Sequence, residues 1–363
     1  MRILFLVQGE GRGHMTQALA LAQIVQAAGH DLVGGLVGVT QGRPVPAFFA
    51  DAFPAPIEAV NSPALVFDKK TNELKVGTSV LNSLKKSKVY FSSLRQIRDA
   101  IRRHRPDVVV NFYEILGGLA YARYRFRVPI VTVAHQYLAF HPAFPFPPDK
   151  PLDKQAFLLL SRINSWGATL KLALSFDELP DVPAEHLKVV PPLLRQEVLD
   201  RTPTTEPYLL AYVTQPGLRV QVEEAHRQRP DVPLRFFHSG VTQPEQVVDD
   251  TLTLHAIDGK RFLDVMQHCR AVVTTAGFES VCEAFYLGKP VLMIPQPNHY
   301  EQAGNALDGQ RVGVGIASDS FDLDRLMAYL PNHDPAANAR FRQWHSRCTE
   351  LFLAALEGVV RKK

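Results

Sequence analysis

The sequence predicts an α/β protein built from two doubly wound, mostly parallel sheets. Three observations carry this expectation. The chain has 363 residues, too many for one ordinary core and suited to two domains of roughly 150–200 residues each. It opens on an apolar run (residues 3–7), a glycine-rich turn, an amphipathic helix and a second apolar run, the start of a doubly wound domain. After a stretch marked by Pro191-Pro192, the same alternation begins again at Tyr208 and continues toward the end of the chain.

In order, residues 3–7 read as a strand covered on both faces. Gly9-Glu10-Gly11-Arg12-Gly13-His14 follows, then a helix that stops at Gly29 and a strand over residues 32–39. Residues 43–53 predict a short helix, 57–67 one irregular strand and 68–77 a polar loop. Residues 81–105 predict a helix with a basic face of Lys85, Lys86, Lys88, Arg95, Arg98, Arg102, Arg103 and Arg105, stopped by Pro106. Strands at 108–110, 128–133 and 169–175 alternate with helices at 116–125 and 153–166, and the prolines of 141–151 dictate a loop. Beyond the linker at 195–207 come strands at 208–213, 234–238 and 251–257, with helices at 218–229 and 262–268. A strand at 271–273, a helix and a strand at 290–294 follow. Residues 336–360 read as one long amphipathic helix.

Composition is globular, with 46% hydrophobic and 21% charged residues. A net charge of +4 is not by itself a nucleic-acid signature. Cys269, Cys282 and Cys348 form no CxxC pair, so neither a disulfide framework nor a zinc site is indicated, and a reducing cytoplasm is expected. The apolar start is too short for a signal segment or a membrane span.

The stretch that organises the chain is residues 274–306. A helix that starts straight after a parallel strand aims its N–H groups and positive dipole end above the sheet. Thr275, Ala276, Gly277 and Phe278 are therefore a candidate phosphate site, and the plain alternative is a strand-to-helix turn with a Thr cap. Glu283 lies in an otherwise apolar helix, where a carboxylate can accept both hydroxyls of a ribose. The strand at 290–294 then delivers Glu301-Gln302 to the same edge, as ligand contacts or as acids favouring a helix dipole. Asn305 serves the same site or simply packs.

Two such domains, with the first loop ending in Gly13-His14 and the 275–306 block in the second, resemble the GT-B glycosyltransferases. The resemblance is to the family that includes the bacterial peptidoglycan N-acetylglucosaminyl transferase and related uncharacterised glycosyltransferases. It implies two Rossmann-like domains facing a cleft. Residues 1–195 would bind the acceptor, 196–335 the nucleotide sugar, and 336–363 would pack back toward the first domain. Donor contacts implied are Gly11 and Gly13 of the first loop, Thr214, Ile257 beside the base, Thr275 to Phe278 on the diphosphate, Glu283 on the ribose, and Glu301, Gln302 and Asn305 on the sugar. Val213-Thr214-Gln215-Pro216-Gly217 departs from the glycine-serine loop expected after the first strand of the second domain, and the Thr214 hydroxyl stands in for part of it.

Sugar transfer with inversion needs a base on the acceptor hydroxyl. A histidine, ordinarily near pKa 6.5, suits that task at neutral pH. His14 is the first candidate, with His135 and Glu114 as competitors. A diol-binding Glu283 favours a UDP-sugar over a dTDP-sugar. The diphosphate rests on a helix, no DxD pair is found, and no metal or other cofactor is expected. Rival readings are a UDP-sugar hydrolase or 2-epimerase of the same fold, and a non-catalytic nucleotide-sugar-binding protein. Peripheral contact with the inner face of a membrane through the 85–105 helix stays open beside a merely solvated basic face.

Overall fold

The computed structural model describes residues 1–63, 87–213 and 216–361. The 68–77 loop, Lys85, Lys86 and Thr214 lie outside them. Contacts divide the chain into two units, one running to Arg195 and resuming at Trp344, the other spanning Gln196–Gln343.

The first unit holds a seven-stranded parallel sheet in the order β3-β2-β1-β4-β5-β6-β7. Its strands are β1 (Arg2–Gln8), β2 (Asp31–Val39), β3 (Ile57–Asn61), β4 (Val108–Phe112), β5 (Ile130–Ala134), β6 (Leu170–Leu174) and β7 (Leu187–Val190). Ile3, Leu4, Phe5, Leu6 and Val7 are wholly buried, as the unbroken apolar run requires of a strand covered on both faces. The helices are α1 (Gly13–Ala27), α2 (Ala47–Ala50), α3 (Ser87–His104), α4 (Ile115–Tyr124) and α5 (Pro151–Asn164). α3 ends at Arg105, which takes φ 45° just before Pro106. A core of Leu4, Leu6, Leu36, Ile97, Val109 and Leu116 joins α3 and α4 to the sheet.

The second unit repeats the plan in the order β10-β11-β9-β8-β12-β13-β14. The strands are β8 (Leu209–Tyr212), β9 (Leu234–Phe237), β10 (Glu245–Val247), β11 (Leu252–His255), β12 (Ala271–Thr274), β13 (Val291–Met293) and β14 (Gly315–Ala317). All pairs are parallel except β10 with β11. Helices α6 (Gln196–Leu199), α7 (Pro216–Gln228), α8 (Gly259–His268), α9 (Phe278–Tyr286), α10 (Tyr300–Val312) and α11 (Leu323–Tyr329) belong to it. Both sheets reverse direction beside their first strand, between β1 and β4 and between β8 and β12. Ligands of doubly wound sheets bind outside the carboxyl ends of the strands at such a point.

Three strands escape a sequence reading. β10 is exposed throughout, so it has no buried face to give an alternating pattern. β7 and β14 are four and three residues long. The C-terminal stretch is also two helices, α12 (Pro335–His345) and α13 (Cys348–Arg361), where the apolar spacing predicts one. No Gly or Pro marks the break. Trp344 is pinned there by its indole N–H, which donates to the Ser175 carbonyl at 3.0 Å.

Candidate active site

In the second unit, one row of paired residues crosses the sheet just inside its carboxyl edge. Tyr212 lies between Phe237 and Thr274, and the row runs on to His255 on one side and to Met293 and Ala317 on the other. The connections leaving this row hold the described residues that the sequence singled out. Ile257, past the end of β11, is 39% exposed. Next to it Asp258 caps α8 by accepting the Arg261 N–H at 2.7 Å.

The turn from β12 into α9 is Thr275-Ala276-Gly277. Gly277, not Thr275, is the N-cap; it is extended at φ −72° and ψ 125° and, as a glycine, supplies no capping side chain. The N-cap residue therefore has no side chain with which to cover the first turn, whose N–H groups and positive dipole end favour an anion. A Cβ on Gly277 would meet only the Ser280 hydroxyl, at 3.9 Å. Neither packing nor backbone angle demands glycine here. The missing side chain instead leaves the helix end open.

α10 braces this turn. Asn305 is buried and its amide donates to the Ala276 carbonyl at 3.0 Å, so its observed contact is to the turn itself. Gln302 accepts the Gln296 N–H at 2.9 Å through its side-chain oxygen, and its own N–H points to His299 Nδ1 at 3.4 Å. The loop before α10 is thus closed on itself, with Asn298 at φ 59°, and Glu301 is half-buried in the first turn of the helix. Glu283 sits on the second turn of α9 at 2% exposure, and Phe278 is buried at 7%. Sequence reasoning passed over His238 on the same edge. It follows β9, accepts the Gly240 N–H at 3.0 Å, and burial lowers its pKa.

In the first unit, the turn after β1 lies at the β1–β4 switch point. Gly9 donates to the Gly38 carbonyl at 2.8 Å, and a Cβ on Gly9 would stand 2.6 Å from that oxygen. Gly11 has φ 83°, a region that L side chains rarely adopt. Glu10 ties the turn to β2 by accepting the Thr40 N–H at 3.0 Å, and Arg12 lies over the Phe48 ring at 4.1 Å. Gly13 opens α1, again with no side-chain cap.

His14, half-buried on that helix, stacks on Tyr113 with ring centroids 5.5 Å apart and planes 20° apart. Tyr113 holds φ 54°, and its hydroxyl shares a 2.9 Å hydrogen bond with Ser161. A bulky residue in the left-handed region at a switch point is the signal that would have marked Tyr113, but backbone angles are invisible in a sequence.

Glu114, the next residue, is 1% exposed. Its carboxylate caps α4 through the Leu116 N–H at 3.0 Å and accepts the Ser62 hydroxyl at 2.6 Å. The other oxygen, Oε2, has no hydrogen-bond partner among the described residues. Desolvation pushes the pKa up to about 7, against the opposing hydrogen bonds from Ser62 and Leu116. A Cβ on Gly38 would fall 1.8 Å from Oε2, so the carboxyl fills the space that glycine leaves.

Two outcomes follow. Gly38→Ala should destabilise the protein by about 1–3 kcal/mol through overpacking. Glu114→Ala should relieve that clash, so the urea-denaturation cycle between the two should be strongly non-additive; additive losses would contradict the packing. Because the folded-state pKa of Glu114 is raised, its contribution is complete below the ordinary carboxylate range and disappears as pH climbs through about 7. Wild type should therefore lose up to about 3 kcal/mol from this group between about pH 5 and pH 8, and Glu114→Gln should show a flatter profile. Parallel profiles would remove the buried proton from the account.

His135 is 2% exposed. Its Nδ1 lies 2.7 Å from the Leu174 carbonyl, and its ring packs edge-on to Phe144 and Phe176. Among the described residues, no group of three or more His, Cys, Asp or Glu side chains is arranged to hold a metal ion.

Residues 1–332 match the family model described as glycosyl transferase family 1. The chain belongs to glycosyl transferase family 1. An uncharacterized glycosyltransferase of Methanosarcina acetivorans is 25% identical over 342 residues, covering 87% of this chain and 83% of that protein. Among solved structures, MurG of Acinetobacter baumannii has a TM-score of 0.59 at 17% identity, covering 98% of this chain and 99% of MurG. The spinosyn rhamnosyltransferase SpnG, solved with thymidine diphosphate, has a TM-score of 0.62 at 15% identity, covering 98% of this chain and all of SpnG (100%). These likenesses establish the GT-B fold of this family 1 chain. It is a glycosyltransferase, and the hydrolase, epimerase and binding-protein readings give way to that assignment.

Proposed function

We propose that this glycosyltransferase moves a sugar from a nucleotide sugar, with a UDP-sugar the favoured donor, to an acceptor hydroxyl with inversion. The observation that carries this reading is the N-terminus of α9 at the β8–β12 switch point, where the N-cap is a glycine with open space at its Cβ position. The diphosphate rests on the N–H groups of that turn, whose dipole stabilises the charge that grows as the sugar leaves. The helix supplies this stabilisation without a metal. Glu283 takes the ribose diol, exposed Ile257 lies along the base, and Glu301 with the amide nitrogen of Gln302 meets the sugar hydroxyls. Thr214 remains part of the proposed phosphate contact.

The first unit holds the acceptor, and His14 removes its proton. Stacking on Tyr113 keeps the imidazole in one orientation, which general-base catalysis requires. Buried Glu114 and His135 rank behind it. A membrane-borne acceptor would fit peripheral contact through basic α3, and this belongs to the same reading. Among the described residues no helix is long and apolar enough to cross a membrane.

A thermal-shift screen over nucleoside diphosphates and their sugars tests the donor. UDP at about a hundred times its Kd should stabilise the fold by about 2.7 kcal/mol, and dTDP, which lacks the 2′-hydroxyl, should do less. SpnG was solved with thymidine diphosphate, which makes dTDP the informative competitor. Equal shifts would remove the ribose role from Glu283.

A further inference from the structure

We propose that the outer surface of the α3–α4–α5 layer of the first unit docks on an anionic lipid surface, with an apolar ridge on α5 entering the interface. This deepens the α3 contact suggested above and is independent of which donor the enzyme uses.

The ridge is a matter of helix geometry. Leu152, Ala156, Leu159 and Ile163 are spaced i, i+4, i+7 and i+11, so they share one face of α5. The opposite face buries Phe157, Ser161 and Asn164 against the unit. A helix on a soluble surface places its apolar stripe inward and its polar residues outward. On α5 an apolar stripe faces outward instead, flanked by exposed Asp153, Gln155 and Arg162: Leu152 is 83% exposed and Leu159 60%, Ala156 is exposed and Ile163 half-buried. Trp166, just past the helix, is 56% exposed, and an indole suits the boundary between headgroups and acyl chains. Single exposed leucines are ordinary, but a continuous ridge marks an interaction site.

Charge selects the occupant. α3 packs on α4 and α4 on α5. The outward positions of α3 include Lys88, Phe91, Arg95 and Arg102, and Arg123, Arg125 and Arg127 are exposed on α4 and just beyond it. Phe91 is 49% exposed with the Arg123 guanidinium over its ring at 5.6 Å. Arg95, Arg102, Arg125 and Arg127 have no acidic group at ion-pair distance among the described residues. Beside the ridge, Arg162 covers the Phe140 ring at 5.1 Å and Lys154 the Phe146 ring at 3.8 Å. Asp149 and Asp153 sit only at the amino end of α5, and Asp99 alone interrupts the outward face of α3. Cations around exposed aliphatic and aromatic side chains are the composition of an interfacial surface, where the charges meet lipid phosphates and the ridge enters the headgroup boundary.

The test is co-sedimentation of the full chain with vesicles of phosphatidylcholine, with and without phosphatidylglycerol. Binding is expected only with the anionic lipid, weakening as salt rises. Leu152→Ser/Leu159→Ser should lower the partition coefficient by about tenfold or more with an unchanged circular dichroism spectrum and melting temperature. Arg95→Gln and Arg102→Gln should each lower it about fivefold. If the serine pair binds vesicles like wild type while the arginine variants do not, the ridge is overturned and only the α3 contact stands. If wild type ignores anionic vesicles, both are overturned. If the serine pair instead converts a dimer to a monomer in sedimentation velocity, the ridge joins two copies of this chain and the lipid assignment is wrong.

Discussion

Gly277→Ala is expected to fold with nearly the wild-type melting temperature and to lose at least about tenfold in affinity for UDP. Glycine at this position is tolerant of a methyl group as far as the protein is concerned. The backbone is at φ −72° and ψ 125°, open to any residue, and the new Cβ would touch only Ser280 at 3.9 Å. Replacing Gly by Ala where the backbone allows it changes stability by less than about 1 kcal/mol. The methyl group would, however, stand where the proposed diphosphate approaches the first N–H groups of α9. A hydrogen bond to a charged group contributes about 1.5–3 kcal/mol, so one lost contact already weakens binding by the stated factor. Isothermal titration with UDP, beside a melt of the empty protein, separates the two effects. Unchanged affinity would move the diphosphate off α9; a collapsed melting temperature would mean that the glycine serves packing after all. Glu283→Ala belongs beside it and should erase the preference for UDP over dTDP. Because Glu283 is 2% exposed, its variant needs the same melting control.

His14→Ala should reduce kcat by about 10²–10⁴-fold once an acceptor has been found, while UDP affinity stays within about twofold of wild type. A base acts on the transferring proton in the transition state, so the loss belongs in kcat rather than in donor binding. The split decides between roles. If UDP affinity falls with kcat, His14 contacts the donor phosphate and is not the base. If neither moves, the proton goes elsewhere, and Glu114, with its pKa raised to about 7, becomes the residue to test. Tyr113→Leu, which removes the stacked ring and the Ser161 hydrogen bond, should give a smaller loss of kcat than His14→Ala and leave UDP binding intact.

Much of the site was legible because its determinants are local. A strand followed at once by a helix exposes N–H groups whatever the rest of the chain does, so the helix start at 275–278 could be read as a candidate anion site from the pattern alone. The glycine turn ending in His14 was legible for the same reason, since Gly9 and Gly11 are demanded by close approach to Gly38 and by a left-handed φ. What Asn305 holds was not legible. Its partner is the Ala276 carbonyl, 29 residues away in sequence, and no spacing rule links an amide to a distant carbonyl. Glu114 was named as a base from its residue type, but its cap on α4, its bond to Ser62 and its fit over Gly38 all come from chain segments brought together by the sheet.

The sequence by itself determined two α/β units, the order of most strands and helices, and the strand-to-helix turn at 275–278, because hydrophobic period and glycine placement act over a few residues. Only the tertiary structure decided three other matters. Gly277 rather than Thr275 is the N-cap of α9, because cap identity depends on backbone angles rather than on the nearest threonine. The C-terminal stretch breaks at Ser346-Arg347 although the apolar spacing would carry one helix through, and beside the break the Trp344 indole is held by a hydrogen bond to the Ser175 carbonyl, 169 residues away in sequence. The apolar face of α5 points outward because Phe157, Ser161 and Asn164 take the inward side, a choice that a leucine-rich helix alone does not reveal.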